Sequence, residues 1–273
     1  MLSNMLVLRV AFAIAVTVTA LAGGMPLAKA DDMVSRLDLT SDEFTKADMS
    51  RADIEAGLAK LKAGETLDLS GKRLNGLDLS GMDMTRTRLQ ATRINNAKLK
   101  GVKFDGVVLD AAWALKSDFT GASFAGASLF QTQMMDCKLD GADFSSAMVG
   151  ADMSRASLLN AQFNNAMLAP DLTNQSMGLM RGVLTSAKLD GASFKGANLT
   201  RSAFEFASLR NVDFEGANLQ GSELSGADFT GANVKGANFA KADINGAKLV
   251  QLRGRDAIVG LDTAVNRDKA TFD

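Results

Sequence analysis

Several residue types on which many enzymes depend are absent or scarce in this chain of 273 residues. It has no histidine and no tyrosine, one cysteine, one tryptophan and two prolines. Without histidine, Ser-His-Asp and Cys-His nucleophile activation and imidazole metal sites are excluded. A single cysteine, Cys137, excludes an intramolecular disulfide and a cysteine-cluster metal site. The sequence therefore predicts a protein that is not an enzyme and that binds no metal and no cofactor.

The chain also lacks an excess of charge of either sign, because its 30 Lys and Arg residues nearly balance its 31 Asp and Glu residues. A chain without net positive charge or a basic stripe is not expected to bind nucleic acid. What is abundant is glycine, with 25 residues, in a chain whose hydrophobic fraction is 47% although aromatic residues make up only 6%. Such a skewed composition is typical of a repeat protein.

Residues 1–30 have the three parts of an export signal. A basic segment that ends at Arg9 precedes an apolar run over residues 10–21, and an Ala-Lys-Ala sequence ends at Ala30. The apolar run is shorter than the roughly 20 residues that a membrane-spanning helix needs. We predict a signal peptide that is cleaved after Ala30, and a periplasmic or secreted protein with no stable membrane span after cleavage. An uncleaved N-terminal anchor is the alternative.

A large apolar residue, here called a centre, recurs every five positions from Leu69 to Leu249, with the smaller Ala114 as an exception. The residue two positions before each centre is usually small. The pattern shortens by one residue near residue 150 and breaks at residues 169–178. A period of five fits neither the 3.6 residues of a helical turn nor the alternation of a strand. Neither element alone would bury all the centres.

The individual units identify the pattern: ANLTR at residues 197–201 and ADFSS at residues 142–146 resemble the A(D/N)LXX signature of the pentapeptide-repeat family. The resemblance covers residues 67–251. It implies an all-β fold, a right-handed quadrilateral parallel β-helix with four pentapeptides per coil, in which each centre and the small residue before it face inward. About 36 units make about nine coils, and stacked at the spacing of β-strands these would form a rod roughly 40 Å long.

Residues 20 positions apart should then stack on one face of the rod, and the sequence supports this register. Opposite charges on adjacent strands attract, and residues 78, 98, 118 and 138 alternate between Asp and Lys. Arg73 and Arg93 fall in another column with Trp113, where a cation–π contact is a further expectation. Cys137 occupies a small inward position, so we expect it to be a buried, unreactive thiol.

The ends of a β-rod need covering, because exposed strand edges invite association. Within an N-terminal segment, residues 31–66, we predict a short capping helix with Ser50 as its N-cap, Asp53 at its third position and an end near Ala63. At the other end, residues 252–273 lose the period of five and form the predicted C-terminal cap. Its apolar residues Ile258, Val259, Leu261 and Val265 are candidates to close the last coil.

Departures from regularity are the best candidates for a binding site on such a rod. The break at residues 169–178 reads as an outward loop, and several apolar residues at solvent-facing positions fall on the same face. The predicted protein-contact patch consists of Val108, Phe130, Met148, Met167, Pro170 and Leu172. The alternative interpretation is that these are the scattered exposed apolar residues found on any protein surface.

The preferred functional prediction is a non-enzymatic, exported protein-interaction or scaffolding rod in a bacterial periplasm, with unknown protein partners and with a dimer as one possible state. The family resemblance implies a second hypothesis, a DNA mimic that binds and protects DNA gyrase, as quinolone-resistance proteins do. The export signal and the balanced charge oppose that hypothesis. An exported hydrolase that uses carboxylates is a third and disfavoured hypothesis.

Overall fold

The computed structural model describes residues 37–170 and 180–273, and residues 39–273 form one compact unit. The predicted signal peptide and Leu172 lie outside the described residues. Among those that are described, no helix combines the length and the apolar composition needed to cross a membrane.

Regular secondary structure is sparse because most of the chain alternates single bridging residues with turns. Two short helices precede the repeats, α1 (Asp42–Thr45) and α2 (Arg51–Ala59). Strand β1 (Leu67–Asp68) pairs in parallel with β2 (Thr87–Arg88), and β3 (Lys248–Leu249) pairs in parallel with β4 (Thr271–Phe272). Three 3-10 turns span Arg255–Ala257, Leu261–Thr263 and Arg267–Lys269.

Single parallel bridges join residues mostly 20 positions apart into four ladders along the described repeats. Ladder A runs from Val108 to Val259, ladder B from Arg73 to Val265, ladder C from Asp78 to Lys248 and ladder D from Asp83 to Arg253. Successive pentapeptides contribute to successive ladders, so one coil of four units presents four sides. The predicted charge column is present in ladder C, where Asp78, Lys98, Asp118 and Lys138 are neighbours.

Most corners between two sides are tight turns with a residue of positive φ two positions after the centre. At the first such turn, the amide of Lys72 donates to the carbonyl of Leu69 at 3.0 Å, and Gly71 has a φ of 67°. A turn with positive φ at its third residue favours Gly or Asn, because other side chains clash there. The recurrence of glycine in the sequence therefore marks corners.

The centres and the small residues before them fill the interior, as the repeat predicts. Phenylalanines 104, 124, 144, 163, 194 and 214 form one stack along the rod with ring planes within 15° of each other. Several small residues that carry a polar hydrogen donate it to the backbone carbonyl of the centre in the preceding coil. Thr92 donates to the carbonyl of Leu69 at 3.1 Å, and Ser117 donates to that of Ile94 at 2.5 Å.

The N-terminal end of the rod is covered by α2, which begins at the predicted Ser50 cap. The Ser50 hydroxyl accepts from the amide of Asp53, and the Asp53 carboxylate accepts from the amide of Ser50, so the two form a capping box. Ile54 is fully buried in the core, and Gly57 leaves room for Leu67 of the first coil. The helix ends at Ala59, four residues before the predicted end near Ala63.

Residues 41–49, here called the strap, run beside ladder B and contain α1. Ala47 forms an antiparallel bridge with Leu74, and the amide of Asp48 donates to the carbonyl of Arg73 at 2.7 Å. Phe44 is buried, and the Asn75 amide donates to the carbonyls of Glu43 and Lys46. The period of five did not assign this segment, since it lies along the side of the coils.

The C-terminal segment loses the period of five but adopts a period of six. Residues 253, 259, 265 and 271 bridge the preceding coil on its four sides, and a 3-10 turn fills each intervening corner. The prediction that Val259 and Val265 close the coil is wrong, because their side chains are 54% and 49% exposed. Bridging positions point outward, whereas Ile258 and Leu261 pack against the core.

Candidate functional site

The predicted patch on ladder A contains two neighbouring exposed methionines. Met148 and Met167 bridge each other, and their side chains are 57% and 46% exposed. Val108 is on the same ladder but is half-buried and separated from Met148 by Ser128, whose hydroxyl donates to Asp110 at 2.6 Å. The structure therefore reduces the ladder A part of the patch to a methionine pair.

The other predicted patch residues lie elsewhere. Phe130 is half-buried at the corner two residues after Ser128, where its ring is 3.5 Å from the Cβ position of Gly150. Pro170 is buried, so the prediction that it belongs to a surface patch is wrong. Its side chain lies against protein instead of solvent.

The break inserts residues between two coils without disturbing the ladders. Met167 bridges Asn198, 31 positions later, whereas a regular coil has 20. The amide of Gly182 returns the chain to the coil by donating to the carbonyl of Leu168 at 2.8 Å. A Cβ on Gly182 would lie 2.8 Å from the Leu168 side chain, so glycine permits this close approach.

Arg181 fixes the returning end of the break to ladder B. Its guanidinium binds the Glu223 carboxylate through two contacts of 2.8 and 2.6 Å, and it also donates to the carbonyl of Arg201 at 2.8 Å. A bidentate Arg–carboxylate pair holds both side chains in one orientation. The preceding residue, Met180, is also held in place, because the Gln131 side-chain amide donates to its sulfur at 3.4 Å.

A second carboxyl group, Glu205, lies beside this pair. Burial raises the pKa of Glu205, and its hydrogen bond to Glu223 raises it further. Burial opposes ionisation of Glu223 too, but the hydrogen bonds from Arg181 and Glu205 keep its pKa below the ordinary value. Thr185 donates to the Glu205 carboxyl at 3.0 Å. The cluster thus has one carboxylate paired with a cation and one carboxyl with a raised proton affinity.

Phe206, next to this cluster, was missed by the sequence prediction. Its side chain is 69% exposed, its φ is 58°, and its ring covers Gly226 of the next coil. A bulky residue with positive φ is uncommon. The sequence does contain a signal for it, because Phe206 occupies the corner position, where the other units place Gly or a small or polar residue.

The comparison with known families decides the identity of the repeat. The family model described as pentapeptide repeats matches in eight copies, over residues 68–106, 103–141, 117–149, 183–216 and 217–251. The chain belongs to the pentapeptide-repeat family. Proteins of this family fold as right-handed quadrilateral β-helices, and the 20-residue ladders of this chain are consistent with that coil.

Several solved structures resemble this pentapeptide-repeat chain. HetL, involved in heterocyst differentiation regulation from the cyanobacterium Nostoc sp. strain PCC 7120, is 22% identical over 81% of this chain and 94% of its own, with a TM-score of 0.42. QnrB1, a plasmid-mediated fluoroquinolone resistance protein, is 19% identical over 77% and 92%, with a TM-score of 0.35. Rfr23 from the cyanobacterium Cyanothece 51142 is 22% identical over 46% and 90%, with a TM-score of 0.21. No curated protein matches the chain. The family assignment therefore rests on the repeat match.

The thiol of this pentapeptide-repeat chain occupies a structural position. Cys137 is buried at a small inward position, and its thiol donates to the carbonyl of Ala114 at 2.8 Å. One coil earlier, Ser117 makes the equivalent contact with the carbonyl of Ile94. Burial raises the pKa of Cys137 to about 12. The thiol therefore stays protonated at neutral pH and is a poor nucleophile and metal ligand.

Potential metal ligands do not cluster in the described ranges, 37–170 and 180–273, where no group of three or more Cys, Asp or Glu side chains is placed to hold an ion. Many carboxylates instead accept hydrogen bonds within their own pentapeptide. In ladder C, the Asp118 carboxylate accepts from the Thr120 hydroxyl at 2.6 Å, and the Asp228 carboxylate accepts from the Thr230 hydroxyl at 2.5 Å. These contacts orient the carboxylates within their own coil.

Proposed function

We propose that this chain is a non-enzymatic, exported pentapeptide-repeat protein that acts as a protein-interaction or scaffolding rod in the periplasm. The observation that carries the proposal is the pair of adjacent exposed methionines, Met148 and Met167, on ladder A. Most other residues of this ladder are polar or half-buried. Methionine side chains are flexible and adapt to apolar partner surfaces. The anchored break at Arg181 lies one ladder away and gives this part of the rod a feature that the regular coils lack.

Charge distribution favours a protein-binding rod over a DNA mimic. A duplex mimic needs a surface dominated by negative charge, whereas ladder C interleaves Asp78, Lys98, Asp118 and Lys138. Several such cations pair with a carboxylate of a neighbouring coil, as Lys98 does with Asp78 at 3.7 Å. Neutralised ladders do not steer a DNA-binding enzyme by long-range attraction.

The interaction surface is tested by comparing two charge-inserting double variants as bait in envelope extracts. Met148→Asp with Met167→Asp places charge in the proposed patch. Val259→Asp with Val265→Asp is the matched control, because these valines are similarly exposed on the last coil. We expect a partner that binds the wild type and the control but not the patch variant. The same partners on all three proteins, with unchanged circular dichroism, would refute the patch.

Export has its own test. Edman sequencing of the mature protein from fractionated cells should begin at Asp31, in the periplasmic fraction. A cytoplasmic protein that begins at Met1 would contradict export. In that event the gyrase hypothesis is examined with a supercoiling assay, in which we expect no effect of the purified chain on gyrase.

A further inference from the structure

Ladder B begins with three side chains that are covered by the strap. Arg73, Arg93 and Trp113 are consecutive in this ladder and are here called the stripe. The Arg73 guanidinium binds the Asp48 carboxylate through contacts of 2.8 and 2.6 Å. Glu43, five residues before Asp48 in the strap, pairs with Arg93.

The strap also covers the tryptophan of the stripe. The Phe44 ring meets the Trp113 ring edge-on, with centroids 5.6 Å apart and planes at 66°. The Arg93 guanidinium lies 5.8 Å from the centroid of the same Phe44 ring. The cation–π contact predicted within the ladder is therefore made to the strap. One aromatic ring and two carboxylates of the strap thus match two guanidinium groups and one aromatic ring of the stripe.

The two adjacent arginines of the stripe require negative charge from another segment. Arg73 and Arg93 are direct neighbours in a parallel ladder, and like charges at such positions are destabilising. In ladder C, by contrast, Lys98 has Asp78 and Asp118 as its neighbours. The stripe therefore needs carboxylates from outside the ladder, and it gains specificity for a segment that carries them.

The coil does not depend on the strap for its closure. The end of the core is covered by α2, in which Ile54 is fully buried. The strap is held by its side chains, by backbone contacts around Asp48 and by the Asn75 amide, which donates to two strap carbonyls. Its helix α1 has only four residues and no side-chain cap at Ser41. Such a short segment gains little stability of its own, so it can leave the stripe without unfolding the rod.

The strap also satisfies the stripe incompletely. The Nε of Arg93 is buried and has no hydrogen-bond acceptor, although another nitrogen of the same guanidinium pairs with Glu43. An unpaired buried donor costs free energy, and guanidinium groups favour two parallel contacts with a carboxylate. A segment whose carboxylate binds Arg93 through two oxygens would therefore compete with the strap.

We propose that the stripe is a docking site for an extended protein segment that carries an aromatic residue between carboxylates, and that the strap occupies this site until such a segment displaces it. The inference goes beyond the proposed function, because it concerns another face of the rod and needs neither export nor the methionine pair.

Trp113 makes the inference directly measurable. It is the one tryptophan of a chain without tyrosine, so intrinsic fluorescence reports the stripe alone. The full chain with Phe44→Ala loosens the strap, and Phe206→Ala is the control that removes an exposed phenylalanine elsewhere. We expect the emission of Trp113 to shift to longer wavelength in Phe44→Ala and to stay unchanged in Phe206→Ala.

The probe is a peptide with the strap sequence SDEFTKADM, which contains no tryptophan. It should bind the Phe44→Ala variant saturably and return the emission toward that of the wild type. Because the tethered strap competes at high effective concentration, the wild type should bind the peptide at least about tenfold more weakly. A peptide with Phe replaced by Ala should not bind.

A second variant that loosens the strap, Glu43→Gln with Asp48→Asn, keeps Phe44. It provides an independent test in case the Phe44→Ala variant misfolds. The proposal is overturned if both variants expose Trp113 without binding the peptide, or if neither exposes it. Light scattering that shows a dimer with exchanged straps would also overturn it, since the occupant would then be a second copy. The Met148→Asp, Met167→Asp variant should behave as the wild type here, which separates this test from that of the proposed function.

Discussion

The phenylalanine stack offers a quantitative test of what holds the rod together. Phe144 lies between Phe124 and Phe163, with ring centroids 4.8 and 4.7 Å away and planes within 7°. The perturbation is Phe144→Leu, which keeps an apolar side chain but removes both stacked contacts. The control is Phe204→Leu. Phe204 is equally buried but makes one edge contact, at 5.7 Å and 81° to Phe194.

The expected cost follows from the number of aromatic pairs that each variant loses. An aromatic pair contributes about 0.5–1.5 kcal/mol beyond its buried area, and a swap that nearly conserves volume costs less than about 1.5 kcal/mol. Phe144→Leu loses two pairs and Phe204→Leu loses one. The free energy of unfolding should therefore fall by about 0.5–1.5 kcal/mol more for Phe144→Leu than for Phe204→Leu.

Urea unfolding provides the assay, followed by far-ultraviolet circular dichroism and by Trp113 fluorescence. Coincident transitions with equal slopes are required, because repeat rods can unfold in parts and a single free energy is then undefined. If Phe144→Leu costs no more than Phe204→Leu under these conditions, the stacked geometry contributes nothing beyond apolar area and the reasoning fails.

Four further predictions concern single positions. Gly182→Ala places a Cβ 2.8 Å from the Leu168 side chain, so unfolding free energy should fall by about 1–3 kcal/mol; an unchanged urea midpoint would contradict the close approach. Phe206→Gly relieves a non-glycine residue at a φ of 58° and should stabilise the fold by about 0.5–1 kcal/mol, measured by the same midpoint; a lower midpoint would show that the ring packing over its neighbour outweighs the strain. Burial raises the pKa of Cys137 to about 12, so a thiol reagent at pH 8 should label the native protein far more slowly than the urea-unfolded protein, and equal rates would place the thiol at the surface. Burial also raises the pKa of Glu205, so its ionisation weakens the folded state as pH rises through the shifted pKa; Glu205→Gln should therefore stabilise the protein more at pH 7 than at pH 4, and an equal gain at both would contradict the shift.

The repeat made the interior of the rod predictable from the sequence. A centre such as Phe144 and a small residue such as Cys137 were assigned inward from the period of five, and both are buried. The family match confirms the repeat. The period sufficed because each coil reuses the same positions, so a local pattern specifies long-range contacts.

The candidate site was less predictable. The register placed Met148 and Met167 on one ladder with Ser128 between them and Val108, but it did not reveal that Val108 is half-buried or that Pro170 is buried. Exposure at an irregular position depends on how the chain leaves and re-enters the coil. The period carries no information about that path.

The sequence by itself determined the repeat, its inward positions and the start of the capping helix at Ser50, since each of these depends on residues a few positions apart. Only the tertiary structure decided that the strap lies on Arg93 and Trp113 and that the last coil continues with a period of six. Both features arise from contacts between segments with different periods. Their positions are set by which side chains can be buried and paired in three dimensions, which a single repeat pattern does not encode.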